Sequence, residues 1–396
     1  MILKNDKRDT RKIITTKGEL PVTRTVLRPQ DAESLSRLVN MENVKCIAPL
    51  DIILRIEGLP FKMTREMMCE VAFWGQNQPS YMMASSILKK VKSVDVSHQT
   101  VRAVTEYVGK IVFEDDTKNA SHLFDRQGAK RSASVKSGVL YIQADGASVN
   151  TRTKNSDGST WRENKLGMVF SSNDIKTRVT KKGETSSRIT KKEYTSYVGS
   201  VREFKKYLYA CAVRNGYGEY AETVILSDGA LWIKNIGTEL FPDAVQILDL
   251  YHLCENTYAY AKAIFKSDEA KYKFWSEEII GKLKENEKNE VLKIVGKYKN
   301  RKLPKGVVNL YTYLENNFER IDYKTYIEKG YYVGSGAIES GNKVVMQKRM
   351  KLAGMRWDEL SAQYLLSLRA KFESGLWDSS VVKRILAYEF PLMKNL

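Results

Sequence analysis

Two segments of this chain share one design, and together they constrain its fold more than any other feature. Val139–Ala147 reads V-L-Y-I-Q-A-D-G-A, and Glu222–Ile233 reads E-T-V-I-L-S-D-G-A-L-W-I. Each is a short apolar run closed by Asp-Gly-Ala, the pattern of a buried strand that ends in a turn. Glu163–Phe170 (E-N-K-L-G-M-V-F) predicts the next strand, joined to the first by a short hairpin loop, T-R-T-K-N-S-D-G-S-T. Ala244–Leu253 (A-V-Q-I-L-D-L-Y-H-L) predicts one more, and helical periodicity over 200–215 separates the runs. The middle of the chain is therefore expected to be α/β. Such sheets carry functional side chains at the carboxyl ends of their strands, where Asp145 and Asp228 fall. If the two strands are neighbours, their carboxylates converge. The plain alternative is that Asp-Gly after a strand is an ordinary turn.

A third acid lies near the C-terminus, in V-G-S-G-A-I-E-S-G-N-K-V-V-M-Q-K-R-M-K-L-A-G-M-R-W (Val333–Trp357). Glu339 opens a predicted helix and is followed by Lys343, Lys348, Arg349, Lys351 and Arg356, with no acid before Asp358. Ile338, Val345 and Leu352 recur every seven residues and predict the seam that faces the core. Glu339 is about 100° round from that seam and Lys343 lies one turn on, so both face the same way. They could address a phosphate together, or form an ordinary i,i+4 surface ion pair. Asp145, Asp228 and Glu339 offer the hard oxygen ligands that suit Mg²⁺ or Mn²⁺. Two such ions can activate an attacking oxygen and stabilise a leaving one in an in-line displacement. His252, three residues after Asp249 at the end of the Q-I-L-D-L-Y-H strand, could bond a phosphate or a catalytic carboxylate, or be structural. Trp357 could stack on a base or anchor a core.

The remaining chain frames these residues. Among 396 residues, 65 Lys+Arg against 47 Asp+Glu give a net charge of +18, which favours a polyanionic partner through counterion release. A glycosidase that used the acids as a pair would gain nothing from that charge on a neutral sugar polymer. The length predicts two or three domains. Residues 1–48 are basic and predict a small β-element or arm. Residues 49–114 are helical, and within 80–112 a helix, a short turn, Ser97 as N-cap and a second helix have the layout of a helix-turn-helix. His98, Gln99, Thr100 and Arg102 would then meet base edges; an αα-hairpin packing its own core fits the same pattern. Residues 115–136 predict a linker, 137–253 the first part of the sheet domain with a mobile basic loop over 171–194, 254–330 an all-α stretch, and 331–396 the Glu339 helix and a last helical tract. Four scattered cysteines predict reduced thiols. No apolar run approaches the ~18 residues of a membrane span, so a cytoplasmic protein is expected.

At I-Q-A-D-G-A, L-S-D-G-A-L-W-I, D-L-Y-H and the Glu339 block the chain resembles the DDE transposases of bacterial insertion sequences. D-L-Y-H is similar to the [C/D]-x-x-H signature of Mutator-like and related members. The resemblance covers roughly Val139–Phe372. It implies an RNase H-like mixed sheet flanked by helices, interrupted by an all-α insertion and preceded by a helix-turn-helix-like domain. It implies Asp145, Asp228 and Glu339 as ligands of two Mg²⁺ or Mn²⁺ ions, with His252 and Asp249 as an accessory pair. Its partners would be double-stranded DNA, as transposon ends and target, and further copies of itself in a synaptic complex at the nucleoid. The expected activity is metal-dependent strand cleavage and strand transfer at terminal inverted repeats; the alternative is a non-catalytic or domesticated DNA-binding derivative.

Overall fold

A computed structural model describes residues 3–34, 36, 46–56, 59–126, 135–179, 185–266 and 268–388. The chain divides into two compact units, Met1–Asp115 with Lys348–Leu396, and Asp116–Gln347. The expected piece 331–396 is thus split: its part up to Gln347 belongs with the sheet, and the rest belongs with the N-terminal region.

The first unit opens with an antiparallel ribbon, β1 (Leu3–Thr15) and β2 (Gly18–Pro29), paired from Leu3↔Pro29 to Thr15↔Gly18. Helices follow at Arg65–Asn77, capped by the Thr64 side chain, and Tyr81–Lys92, capped by Ser80. The next helix, whose first turn is capped by Ser97, runs from His98 for 27 residues to Phe124. It continues through the first ten residues of the expected linker; residues 127–134 lie outside the described set. Val101, Val104 and Val108 are fully buried, as their spacing predicts, with Met67, Met68, Val71 and Ala72. The C-terminal tract completes this core with Leu368, Trp377, Val381 and Ile385. Sequence distance hides that partnership, because apolar periodicity says that a face is buried and not against what.

The second unit is built on a mixed five-stranded sheet, ordered β7 (Glu193–Val198), β4 (Trp161–Ser171), β3 (Lys136–Asn150), β8 (Tyr220–Ser227), β9 (Val245–Leu248). The β3–β4 and β4–β7 pairs are antiparallel, and β3–β8 and β8–β9 are parallel. Leu140, Ile142 and Ala144 point to one face and pack with Phe204, Leu208 and Ala212 of the helix Val201–Arg214, and with Ile233 and Ile236 of the helix Leu231–Leu240. The alternate residues of β3 point to the other face. There Tyr141 stacks on Phe170 and its hydroxyl accepts from Tyr332 N–H. The helix Gly336–Asn342, which carries Glu339, lies on this face so closely that a Cβ on Gly341 would meet Tyr194 at 2.7 Å.

Several sequence expectations need correction. β3 does not stop at Asp145; it continues to Asn150 against β4, and only its pairing with β8 ends, at Gln143↔Leu226. The stretch 171–194 is not a plain loop: β5 (Ile175–Val179) and β6 (Thr185–Ile189) form a hairpin, followed by β7. β9 ends at Leu248, so Asp249 and His252 are not on a strand but open the helix Leu250–Phe265. Between that helix and Gly336 the described chain is helical, with Trp275, Ile279, Leu283, Val291 and Leu310 buried. The Glu339 helix is not uniform, because Lys343–Gln347 widens into a π-helical turn. Ile338 and Val345 are buried as expected, whereas Leu352 lies beyond the last helical turn and is exposed. The widened turn shifts the seam, and Met346 and Met350 are buried instead.

Candidate active site

Asp145 stands on β3 and Asp228 directly follows its parallel neighbour β8, each two residues past the last paired positions, Gln143 and Leu226. The shared register brings both acids to the same end of the sheet, near enough for the charge of Asp228 to act on the Asp145 carboxyl. Asp145 accepts from Gly146 N–H at 2.7 Å and from the Asn342 amide at 2.6 Å. Burial pushes its carboxyl above the ordinary range; the two hydrogen bonds work against this, and the negative charge of Asp228 adds to it. Asp228 accepts from Ala230 N–H at 3.0 Å, which fixes its carboxylate at the start of the Leu231–Leu240 helix. Gly229 is packed so tightly on Tyr313 that a Cβ would lie 2.2 Å from the ring.

Asp249 is completely buried and caps its helix, its Oδ2 accepting from His252 N–H at 2.8 Å. The same oxygen lies 2.6 Å from His252 Nδ1, while Oδ1 accepts from Ser335 N–H at 2.7 Å. Burial would raise the Asp249 carboxyl, but the hydrogen bonds from His252 and Ser335 outweigh it and hold it below the ordinary range. His252 is pushed up to about 9, first by its bond to Asp249, against a smaller opposing effect of burial, with help from the charges of Asp228 and Glu339. Near neutral pH the imidazole is therefore a cation that donates to Asp249. Ser335 Oγ donates to Glu339 Oε1 at 2.6 Å, linking the third acid to this pair.

Against the ends of β8 and β9 sits Arg320, almost fully buried. It donates to Ser227 Oγ at 2.6 Å and to Asn317 Oδ1 at 2.9 Å. Burial lowers its pKa, and Tyr313, Tyr323 and Asp228 oppose the shift. Tyr323 donates to Leu248 O at 2.9 Å, so the helical segment buttresses the turns that bear Asp228 and Asp249.

Among the described residues, the acidic and histidine ligands whose donor atoms lie within 4.8 Å of one another are Asp249, His252 and Glu339. Asp145, Asp228 and Glu339 do not close to that distance. Without a metal, Asp249 bonds His252 and Ser335; a cation bound here would have to displace the imidazole proton. Asp145 and Asp228 offer a second set of hard oxygen donors. Two adjacent carboxylates repel each other, one is held towards its protonated form by burial, and the buried Asn342 Oδ1 beside them has no partner. A hard cation would relieve that repulsion.

The residues expected to meet DNA are divided. His98 and Gln99 are exposed at the start of their helix, Thr100 is half-buried, and Arg102 donates to Glu106 at 2.8 Å. Lys343, Lys348, Lys351 and Arg356 are exposed. Arg349 and Trp357 are not available for DNA. Arg349 is buried, donates to Gly75 O, and stacks on Tyr81 at 4.7 Å and Trp357 at 5.1 Å; Trp357 Nε1 donates to Met350 O at 3.2 Å. The aromatic pair gives the guanidinium a better-packed position than solvent would. Sequence reasoning missed Ser335, Arg320 and Asn342. Asn342 and Ser335 had a signal, as they lie three residues after and four residues before Glu339 and so share its face.

The family described as Uncharacterised protein family (UPF0236) matches residues 56–383, most of the chain and every residue of this cluster. The chain belongs to UPF0236. No curated protein matches it. Among solved structures, the Drosophila P element transposase strand transfer complex aligns over 88% of this chain and 85% of that chain, at 12% identity and a TM-score of 0.26. Likeness that low carries neither fold nor activity over to a UPF0236 chain. No described helix is long and apolar enough to cross a membrane.

Proposed function

We propose that this UPF0236 chain is a DDE-type transposase, cutting and joining DNA strands with divalent metal. The observation that carries the reading is the Asn342–Asp145 hydrogen bond, which ties the Glu339 helix to the Asp145 strand next to Asp228. A five-stranded mixed sheet with helices after β7 and β8 suits an RNase H-like core, and the helices between β9 and Gly336 suit its all-α insertion. The helix pair over 80–112 would be the end-binding element, with His98 and Gln99 towards the bases. Further copies of the chain would complete the synaptic complex.

Asp145, Asp228 and Glu339 would hold Mg²⁺ or Mn²⁺, which when bound supplies Lewis-acid activation of water and of the leaving oxygen. The chain's own residues do the positioning. Asn342 orients Asp145, and Ala230 N–H orients Asp228. Arg320 fixes the Ser227 hydroxyl that bonds the Asp228 carbonyl. Ser335 holds Glu339, and the His252 cation, anchored by Asp249, is placed to meet a phosphate oxygen.

The test is a Mg²⁺-dependent nicking assay on the DNA that flanks the coding sequence. Asp145→Ala, Asp228→Ala and Glu339→Gln should each abolish cleavage and leave DNA affinity unchanged. Metal-dependent cutting that survives Asp228→Ala would sink the assignment. Salt-sensitive binding by wild type without any nicking would instead favour a non-catalytic DNA-binding derivative.

A further inference from the structure

We propose that the β5–β6 hairpin is a docking ribbon for duplex DNA. The inference rests on the DNA reading above and assigns it a surface that the sequence reads only as a basic loop. Residues 175–192 hold seven lysines and arginines against one acid, Glu184. In the hairpin, Lys176 lies directly opposite Arg188. Like charges in opposed positions destabilise a strand pair, and a two-stranded hairpin is marginal even without that burden. Lys176, Arg178, Val179 and Arg188 are all exposed, so neither face gains from a core. Among the described residues, Lys176, Arg178 and Arg188 form no ion pair.

The β1–β2 ribbon of the same chain shows how such a structure is stabilised internally. There Lys12 pairs with Glu19 at 2.9 Å, Arg28 with Asp6 at 2.9 Å and Arg24 with Asp9 at 3.2 Å. Among its described residues the β5–β6 hairpin lacks that compensation, and a polyanion would supply it. Its shape fits as well. A major groove about 12 Å wide admits a two-stranded ribbon, and five-residue strands reach about 17 Å. Thr177 and Ser187, hydrogen-bonded to each other at 3.1 Å between the cationic positions, add hydroxyls of the kind that bond phosphates.

The experiment measures binding of the full chain to a mixed-sequence DNA duplex across a salt series. It compares wild type, the triple variant Lys176→Thr/Arg178→Thr/Arg188→Thr, and a control with three exposed lysines removed elsewhere, Lys297→Thr/Lys302→Thr/Lys305→Thr. The hairpin variant should bind roughly 10- to 100-fold more weakly, with a log–log salt slope smaller by about 0.9 for each phosphate that is no longer neutralised. Its melting temperature should stay level or rise, because opposed like charges are gone. Wild-type binding with a hairpin-variant affinity and slope equal to the control's would overturn the ribbon and leave the DNA reading standing. Failure of the wild type to bind duplex at any salt would overturn both. Binding to phosphatidylserine vesicles in place of DNA, abolished in the hairpin variant, would also overturn the proposal by naming a membrane surface as the partner.

Discussion

At the scale of single residues, the candidate site is two coupled arrangements with opposite electrostatics. Asp145 beside Asp228 is a carboxylate pair under mutual repulsion, whereas Asp249 with His252 is an ion pair that neutralises itself. In metal-free protein the His252 imidazole should titrate by NMR near 9, and Asp249→Asn should bring it back towards about 6.5. The linkage sign follows from a raised folded-state pKa. The stability His252 contributes is complete below about 6.5, declines as pH rises, and is gone above the folded value. Urea titrations of wild type and His252→Ala at about pH 6 and about pH 10, outside the unfolded and folded imidazole values, should therefore differ more at the lower pH. Asn342→Leu should lower nicking through Asp145 orientation and leave DNA affinity unchanged; equal nicking by the variant would remove Asn342 from the site.

At the scale of elements, close backbone approach decides which helix can sit where. The Glu339 helix reaches the sheet because Gly341 has no Cβ to strike Tyr194 or Leu166. Gly341→Ala should cost about 1–3 kcal/mol by overpacking, read as a lower denaturation midpoint, with weaker nicking because Glu339 and Asn342 shift together. The π-helical turn at Lys343–Gln347 is the element that sequence periodicity could not supply. A heptad count assumes constant twist and an unbroken helix, so it put Leu352 on the seam; the widened turn buries Met346 and Met350, and the helix ends at Met350, which leaves Leu352 exposed beyond it. Constant twist would itself have put Arg349, four residues after Val345, near the seam; only its charge made it read with the basic residues that follow Glu339. Arg349→Ala should destabilise its unit by about 2–4 kcal/mol, since it leaves Tyr81 and Trp357 without the guanidinium between them. The salt slope of DNA binding should not change.

At the scale of the whole molecule, the chain is folded out of order. Residues 348–396 complete a core begun by residues 13–112, while the segment between them builds the sheet unit. A chain ending at Gln347 should lose cooperative unfolding of the first unit by circular dichroism and calorimetry, because Leu368, Trp377, Val381 and Ile385 go with it; an unchanged transition would refute that dependence. By itself the sequence determined the local matters. It placed the strand runs that carry Asp145 and Asp228, the helix that carries Glu339, and the valine stripe of the His98 helix, because alternation and 3.6-residue spacing are set by neighbours in the chain. Only the tertiary structure decided that Asn342 bonds Asp145, that Arg320 bonds Ser227, that Arg349 and Trp357 are interior, and that a polar stretch pairs into a cationic hairpin. Each of those depends on which distant groups meet, and burial, hydrogen-bond partners and local twist are fixed only when they do.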